Sequence, residues 1–169
     1  MKLLLVIDMQ NDFLTGSLAN PEGVKIIPLI EEKVKEYLGS GDDVIFTKDT
    51  HDANYLNTSE GKMLPVVHCV KGTKGHEICD ELKKYAYKVI EKPTFGALNQ
   101  FKDYDFSKYE EIDLVGVCTD ICVISNALIL KAMYPETPIV VYENLCAGTS
   151  LENHESSINS MKSCQVIVR

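Results

Sequence analysis

Short, near-continuous apolar runs alternate along this chain with segments of helical period, and no other feature limits its fold so tightly. The runs are "KLLLVID" (2–8), "DVIFTKD" (43–49), "AYKVIEK" (86–92), "IDLVGVC" (112–118), "PIVVYEN" (138–144) and "CQVIVR" (164–169). Strands buried on both faces of a parallel sheet read this way, because neither face meets water. Between them lie "VKIIPLIEEKVKEYLGSG" (24–41), "GHEICDELKKYA" (75–86), "CVISNALILKAMYP" (122–135) and "SLENHESSINSMKS" (150–163). Each carries apolar residues three or four apart, and Gly or Pro closes several of them. The β-α-β alternation predicts a three-layer α/β/α sandwich on a mainly parallel sheet of about six strands, joined by right-handed crossovers. At 169 residues the chain fits a single domain, 1–169.

Acidic residues outnumber basic ones by 25 to 17, a net charge of −8. That balance argues against a nucleic-acid surface, where clustered Lys and Arg neutralise phosphates. "MKLLLVIDMQNDF" reaches Asp8 after five apolar residues, too few for a secretory signal. No run approaches the roughly 18–20 apolar residues of a membrane span. The expectation is a cytoplasmic protein whose six cysteines (69, 79, 118, 122, 146 and 164) are mostly reduced.

Open parallel sheets bind ligands beyond the C-terminal ends of their strands. The first strand ends at Asp8, the second in "KDTHD" with Asp49 and His51, the third at Lys92 and the fourth in "GVCTDIC". Thr119 and Asp120 are good helix caps, so Cys122 is expected in a first helical turn, where free N–H groups favour a thiolate. Taken alone, Cys122 reads better as a small buried apolar residue, Asp8 as a loop cap and Lys92 as a solvated strand end. Together at three strand ends they read better as a nucleophile, an acid–base carboxylate and a cation that steadies both. Cys118 is the rival thiol, but it ends its strand.

The region 50–75 lacks clear period, and loops this long in compact domains are usually functional or disordered. Asp49, His51 and His68 bracket it, a set suited to a divalent transition metal with open positions. Glu60 lies between them and could join directly or through water. The plain alternative is a group of surface polar residues. His76 and His154 fall at predicted helix starts and read as surface or capping residues. Cys79 and Cys164 read as packing, and Cys146 as a loop residue. Phe13 serves either core packing or a ring stacked on a planar substrate.

The stretches "LLVIDMQNDF", "DTHD", "PVVHCVKGTKGHEI", "EKPTFGA" and "GVCTDICV" resemble the isochorismatase-like cysteine hydrolases, and more narrowly the nicotinamidase (pyrazinamidase) branch. The resemblance covers nearly the whole chain in the family's order. It implies the isochorismatase-like hydrolase fold and Asp8, Lys92 and Cys122 as a catalytic triad. It further implies an oxyanion hole from the backbone N–H groups of Cys118 and Cys122, with a cis peptide at Val117–Cys118. Asp49, His51 and His68 become ligands of one divalent metal, zinc first and iron or manganese otherwise, with Glu60 as fourth. The implied reaction, through a cysteine thioester, turns nicotinamide into nicotinate and ammonia in NAD salvage. Self-association into a homo-oligomer follows family habit.

Two positions depart from the pattern. Leu64 stands where many nicotinamidases line the pocket with tryptophan, and this chain contains none. That bears on the ring-stacking wall and so on substrate preference. Asn144 stands where aspartate is common after the fifth strand. Three rivals remain open: a related cysteine amidohydrolase acting on another small amide or carbamoyl compound, a hydrolase whose metal activates water, and a non-enzymatic binding domain.

Overall fold

The computed structural model describes residues 1–169. Six strands, β1 (Leu3–Ile7), β2 (Asp43–Asp49), β3 (Val89–Lys92), β4 (Ile112–Val117), β5 (Ile139–Ala147) and β6 (Ile167–Val168), form one sheet. Its order is β3-β2-β1-β4-β5-β6 and every neighbouring pair is parallel. Strand order therefore reverses between β1 and β4, the place where a crevice opens beyond the strand ends.

Alternate residues of β1 explain its unbroken apolar run. Leu3, Leu5 and Ile7 join one buried cluster with Phe101, Leu130 and Met161, while Leu4 and Val6 join another with Ile30, Val34 and Leu82. The first cluster is closed by α5 (Leu98–Phe101), α6 (Ile124–Met133) and α7 (Leu151–Ser163). The second is closed by α1 (Asn11–Leu14), α2 (Pro21–Ser40) and α4 (Asp80–Lys83); α3 (Ser59–Met63) lies in the long loop. These are the three layers expected of the alternation. The start and stop of α2 follow from its caps: Asn20 Oδ1 accepts the Glu22 and Gly23 N–H groups, and Gly41 turns left-handed at φ 78°.

The helix expected over 75–86 shrinks to α4. Backbone that would have wound into it pairs instead with the chain after β1: Asn11 N–H donates to Glu77 O, Asp12 N–H to Gly75 O and Cys79 N–H to Met9 O. Tertiary pairing overrides the local period there, and His76 is consequently buried rather than a surface cap. The third strand starts at Val89, later than its apolar run suggested, with Tyr87 left 83% exposed. Cys146 lies inside β5 and is buried, while Cys164 is exposed instead of packed. All six thiols are free. No helix is long and apolar enough to cross a membrane.

Candidate active site

Two unusual backbone conformations build the crevice between β1 and β4. Gly116 sits at φ 120°, and a Cβ there would stand 2.2 Å from Ile7 O, so only glycine lets the strands approach. Asp8, the residue after β1, takes φ 48°, rare for a residue with a side chain. Thr47 on β2 secures it from both sides. The Thr47 hydroxyl donates to Asp8 Oδ1 at 2.6 Å, and Oγ1 accepts the Asp8 N–H at 3.2 Å.

Lys92, at the end of β3, is wholly buried and its Nζ stands 2.6 Å from Asp8 Oδ2 and 3.6 Å from Asp49 Oδ1. The same ammonium donates to Thr94 O at 3.2 Å and approaches Cys122 Sγ at 3.5 Å. Burial pulls the lysine toward neutrality, but Asp8, Cys122 and Asp49 outweigh it and raise its pKa. Burial pushes the Asp8 carboxyl up against the opposing pull of Lys92.

Cys122 lies in a π-helical turn, Thr119–Val123, that leads from β4 into α6. The turn is capped by Cys118 rather than by Thr119 or Asp120, and the Val117–Cys118 peptide is cis. The thiol is not lowered as a helix N-terminus alone would suggest. Burial and the Asp8 carboxylate push it well above its ordinary value, with Lys92 opposing. Burial likewise pushes Cys118 up to about 12. Both sulfurs therefore favour the thiol form, and ionisation of Cys122 is helped by a local proton acceptor and by Lys92.

Beside this trio, one ligand atom each from Asp49, His51, Glu60 and His68 falls within a 4.8 Å cluster. His51 Nε2 lies 2.9 Å from Asp49 Oδ2 and 3.5 Å from Glu60 Oε1; His68 Nε2 lies 3.4 and 3.8 Å from the same oxygens. Tetrahedral ligands of zinc at about 2.1 Å stand roughly 3.4 Å apart. The His68 ring directs Nδ1 to Val66 O at 2.7 Å, which turns Nε2 toward the cluster. Glu60 Oε1, which faces both imidazoles, is buried without a hydrogen-bond partner, a cost that a cation would remove. Burial raises Asp49, but the two imidazoles and Lys92 overcome it and hold the carboxyl well below its usual range. The donor set fits a four-coordinate divalent ion.

A cavity of about 440 Å³ joins the two groups, lined by Asp49, Glu60, His68, Cys118 and Cys122. Phe13 and Leu64 also line it. Phe13 is 9% exposed with its ring centroid 5.5 Å from that of His68, so packing and wall are the same role. Leu64 ends α3 at 36% exposure. Further lining comes from Leu18, Asn20, Phe95, Ile121 and Thr149, none of which had been singled out.

Other supports were equally silent. Gln10, in the quoted "DMQNDF", reaches Asp49 with both ends of its amide: Oε1 accepts the Asp49 N–H and Nε2 donates to Asp49 O and His76 O. Asp12 Oδ2 accepts the N–H of Cys69, which follows His68 at φ 48°. His76, which is buried, pairs with Thr50 Oγ1 at 2.8 Å, and His154, half-buried in the first turn of α7, pairs with Thr119 Oγ1 at 2.8 Å; neither joins the cluster.

The sequence profile of the isochorismatase domain matches residues 2–169. The chain belongs to the isochorismatase family. Among family members, the nicotinamidase/pyrazinamidase of Mycobacterium tuberculosis is 28% identical, over 98% of this chain and 97% of its own. A crystal structure of nicotinamidase/pyrazinamidase from Bacillus subtilis superposes with a TM-score of 0.85 at 27% identity, covering 99% and 98% of the two chains. That of the pyrazinamidase of Pyrococcus horikoshii in complex with zinc gives 0.82 at 26%, with the same coverage. This member thus shares the family's six-stranded parallel sheet flanked by helices.

Proposed function

We propose that this amidohydrolase is a nicotinamidase, hydrolysing nicotinamide to nicotinate and ammonia in cytoplasmic pyridine-nucleotide salvage. One observation carries the reading: the Cys122 thiol, backed by the buried Lys92 ammonium and Asp8 carboxylate, lines a cavity together with Asp49, Glu60 and His68 of the four-ligand cluster. The family's nicotinamidase relatives support it.

Cys122 is the nucleophile. Because burial favours the thiol form, the proton passes to Asp8 as the sulfur attacks the amide carbon, and Lys92 steadies the charge left on either group. The backbone N–H groups of Cys118 and Cys122 receive the oxyanion; one such donor is typically worth on the order of 10²–10³ in rate. Asp8 returns its proton to the departing ammonia. The carboxylate then takes a proton from water, hydroxide adds to the thioester, and the released thiol regains that proton. Asp49, His51, Glu60 and His68 would hold one divalent ion, zinc by preference, which supplies a Lewis-acidic anchor for the pyridine nitrogen.

Ammonia release from nicotinamide, pyrazinamide and a series of aliphatic amides tests the proposal. Nicotinamide and pyrazinamide are expected to turn over; silence toward both overturns it. Leu64 favours a second reading, because the position offers an aliphatic side chain at 36% exposure instead of a ring. Turnover of aliphatic amides or carbamoyl compounds alone would assign the related amidohydrolase activity instead.

A further inference from the structure

Helix α6 is apolar where it meets the sheet, with one exception. Asn126, four residues beyond Cys122, is completely buried among Ala127, Leu130 and Val123. A buried amide persists only where its hydrogen bonds are met. Asn126 meets three of them, all with backbone. Its Oδ1 accepts the Ala97 N–H at 2.8 Å, and Nδ2 donates to Phe95 O at 3.1 Å and to Cys122 O at 2.7 Å. These partners fix the amide's orientation, since one is a donor and two are carbonyls.

The contacts join two neighbouring parts of the cavity wall. On one side is the carbonyl of Cys122 itself. On the other is the loop after β3, whose Phe95 lines the cavity and is 41% exposed. The same loop presents Thr94 O to the Lys92 ammonium. Tight packing holds it from below, because a Cβ on Gly96 would stand 2.4 Å from Ile129 Cδ1. A closed circuit results, running Cys122–Asn126–Phe95–Thr94–Lys92 and back to the Cys122 sulfur at 3.5 Å. No other side chain bonds both the nucleophile's backbone and the Phe95 loop.

We infer that Asn126 is a positioning residue of the reaction, holding the Phe95 wall in register with Cys122 so that a bound amide meets the sulfur. The inference rests on the amidohydrolase reading of the cavity. Asn126 touches no substrate and acts through Phe95, so its loss appears in substrate binding more than in chemistry.

A double-mutant cycle with nicotinamide as substrate tests it, using wild type, Asn126→Asp, Phe95→Ala and the double variant. Rates are expressed per Cys122 thiol titrated. Asn126→Asp keeps the volume and the acceptor for Ala97 but turns the two donor bonds into repulsions. KM is expected to rise about tenfold in each single variant, with a smaller change in kcat. The double variant should lie within about twofold of Phe95→Ala alone, since the two act as one unit. Multiplicative effects on KM, or a lower Tm with KM unchanged, overturn the inference. Should Asn126→Asp not fold, Asn126→Ser takes its place in the cycle with the same expectations.

If wild type hydrolyses no amide, the proposed function fails by itself. The inference is then judged by the rate at which iodoacetamide alkylates Cys122, followed by peptide mass spectrometry. A change of about threefold or more in the Asn126 variant supports it, and an unchanged rate overturns it.

Discussion

The ammonium of Lys92 stands 2.6 Å from Asp8 Oδ2, and neither residue is reached by solvent. Each charge was taken out of water at a cost that its partner chiefly offsets. The pair therefore ties β1 to β3 across the intervening β2, and it places the Asp8 carboxylate beside the thiol.

Removing one member leaves the other buried and uncompensated. Lys92→Met keeps the apolar stem and is expected to lower stability by about 3–5 kcal/mol in urea denaturation, with Asp8→Asn/Lys92→Met recovering much of the loss. A loss below about 1 kcal/mol would mean the pair behaves as a hydrated surface contact.

Cys122→Ala should lower kcat for nicotinamide by on the order of 10⁴-fold or more, as loss of a nucleophile does elsewhere. Turnover surviving within tenfold of wild type would move the attack from sulfur to water.

The four-ligand cluster makes its own prediction. Elemental analysis should find one divalent ion per chain and far less in His51→Ala. Zinc at about a hundred times its Kd should stabilise metal-free wild type by about 2.7 kcal/mol and leave His51→Ala unmoved. Equal stabilisation of both proteins would remove His51 from the ligand set.

Asp113, buried on β4 beneath α2, gives stability a pH dependence unrelated to catalysis. Burial raises its carboxyl to about 6, with Tyr37 opposing and Glu111 reinforcing. The folded chain then binds more protons at this group than the unfolded chain between pH 3.8 and about 6. Its contribution is present below that window and is lost as pH rises through it. Relative to Asp113→Asn, wild type should lose about 2–3 kcal/mol between pH 4 and 7. Parallel stability curves for the two proteins would count against a titrating Asp113.

Gly116→Ala would place a methyl 2.2 Å from Ile7 O at φ 120°. The variant should be destabilised by at least about 3 kcal/mol in thermal unfolding, combining the backbone strain with a forced separation of β1 and β4. An unchanged Tm would show that the strands can part at no cost.

The strands were legible because burial on both faces leaves no polar residue in the run, as Leu3 to Ile7 show. Asp8 and Lys92 were legible because each ends such a run, and Cys122 because it opens the helical turn that follows one. The helical period over 75–86 is overridden for a definite reason: residues 75–79 spend their backbone hydrogen bonds on Met9, Asn11 and Asp12. Thr47, Gln10 and Asn126 gave no comparable signal, since their partners lie 39, 39 and 29 residues away. Asn126 was nonetheless the one amide in the apolar stretch "NALIL", and a lone amide in a buried helix asks for a partner.

By itself the sequence determined which segments are strands, which residues end them, and so which titratable groups gather at one edge. These follow from local pattern, because double-sided burial dictates composition residue by residue. The tertiary structure alone decided the strand order that makes β1 and β4 neighbours and the orphaned carboxylate oxygen of Glu60. It also decided the direction in which the Cys122 thiol is shifted. A helix N-terminus lowers a thiol, but complete burial beside Asp8 raises it further, and burial is a property of everything packed around the sulfur.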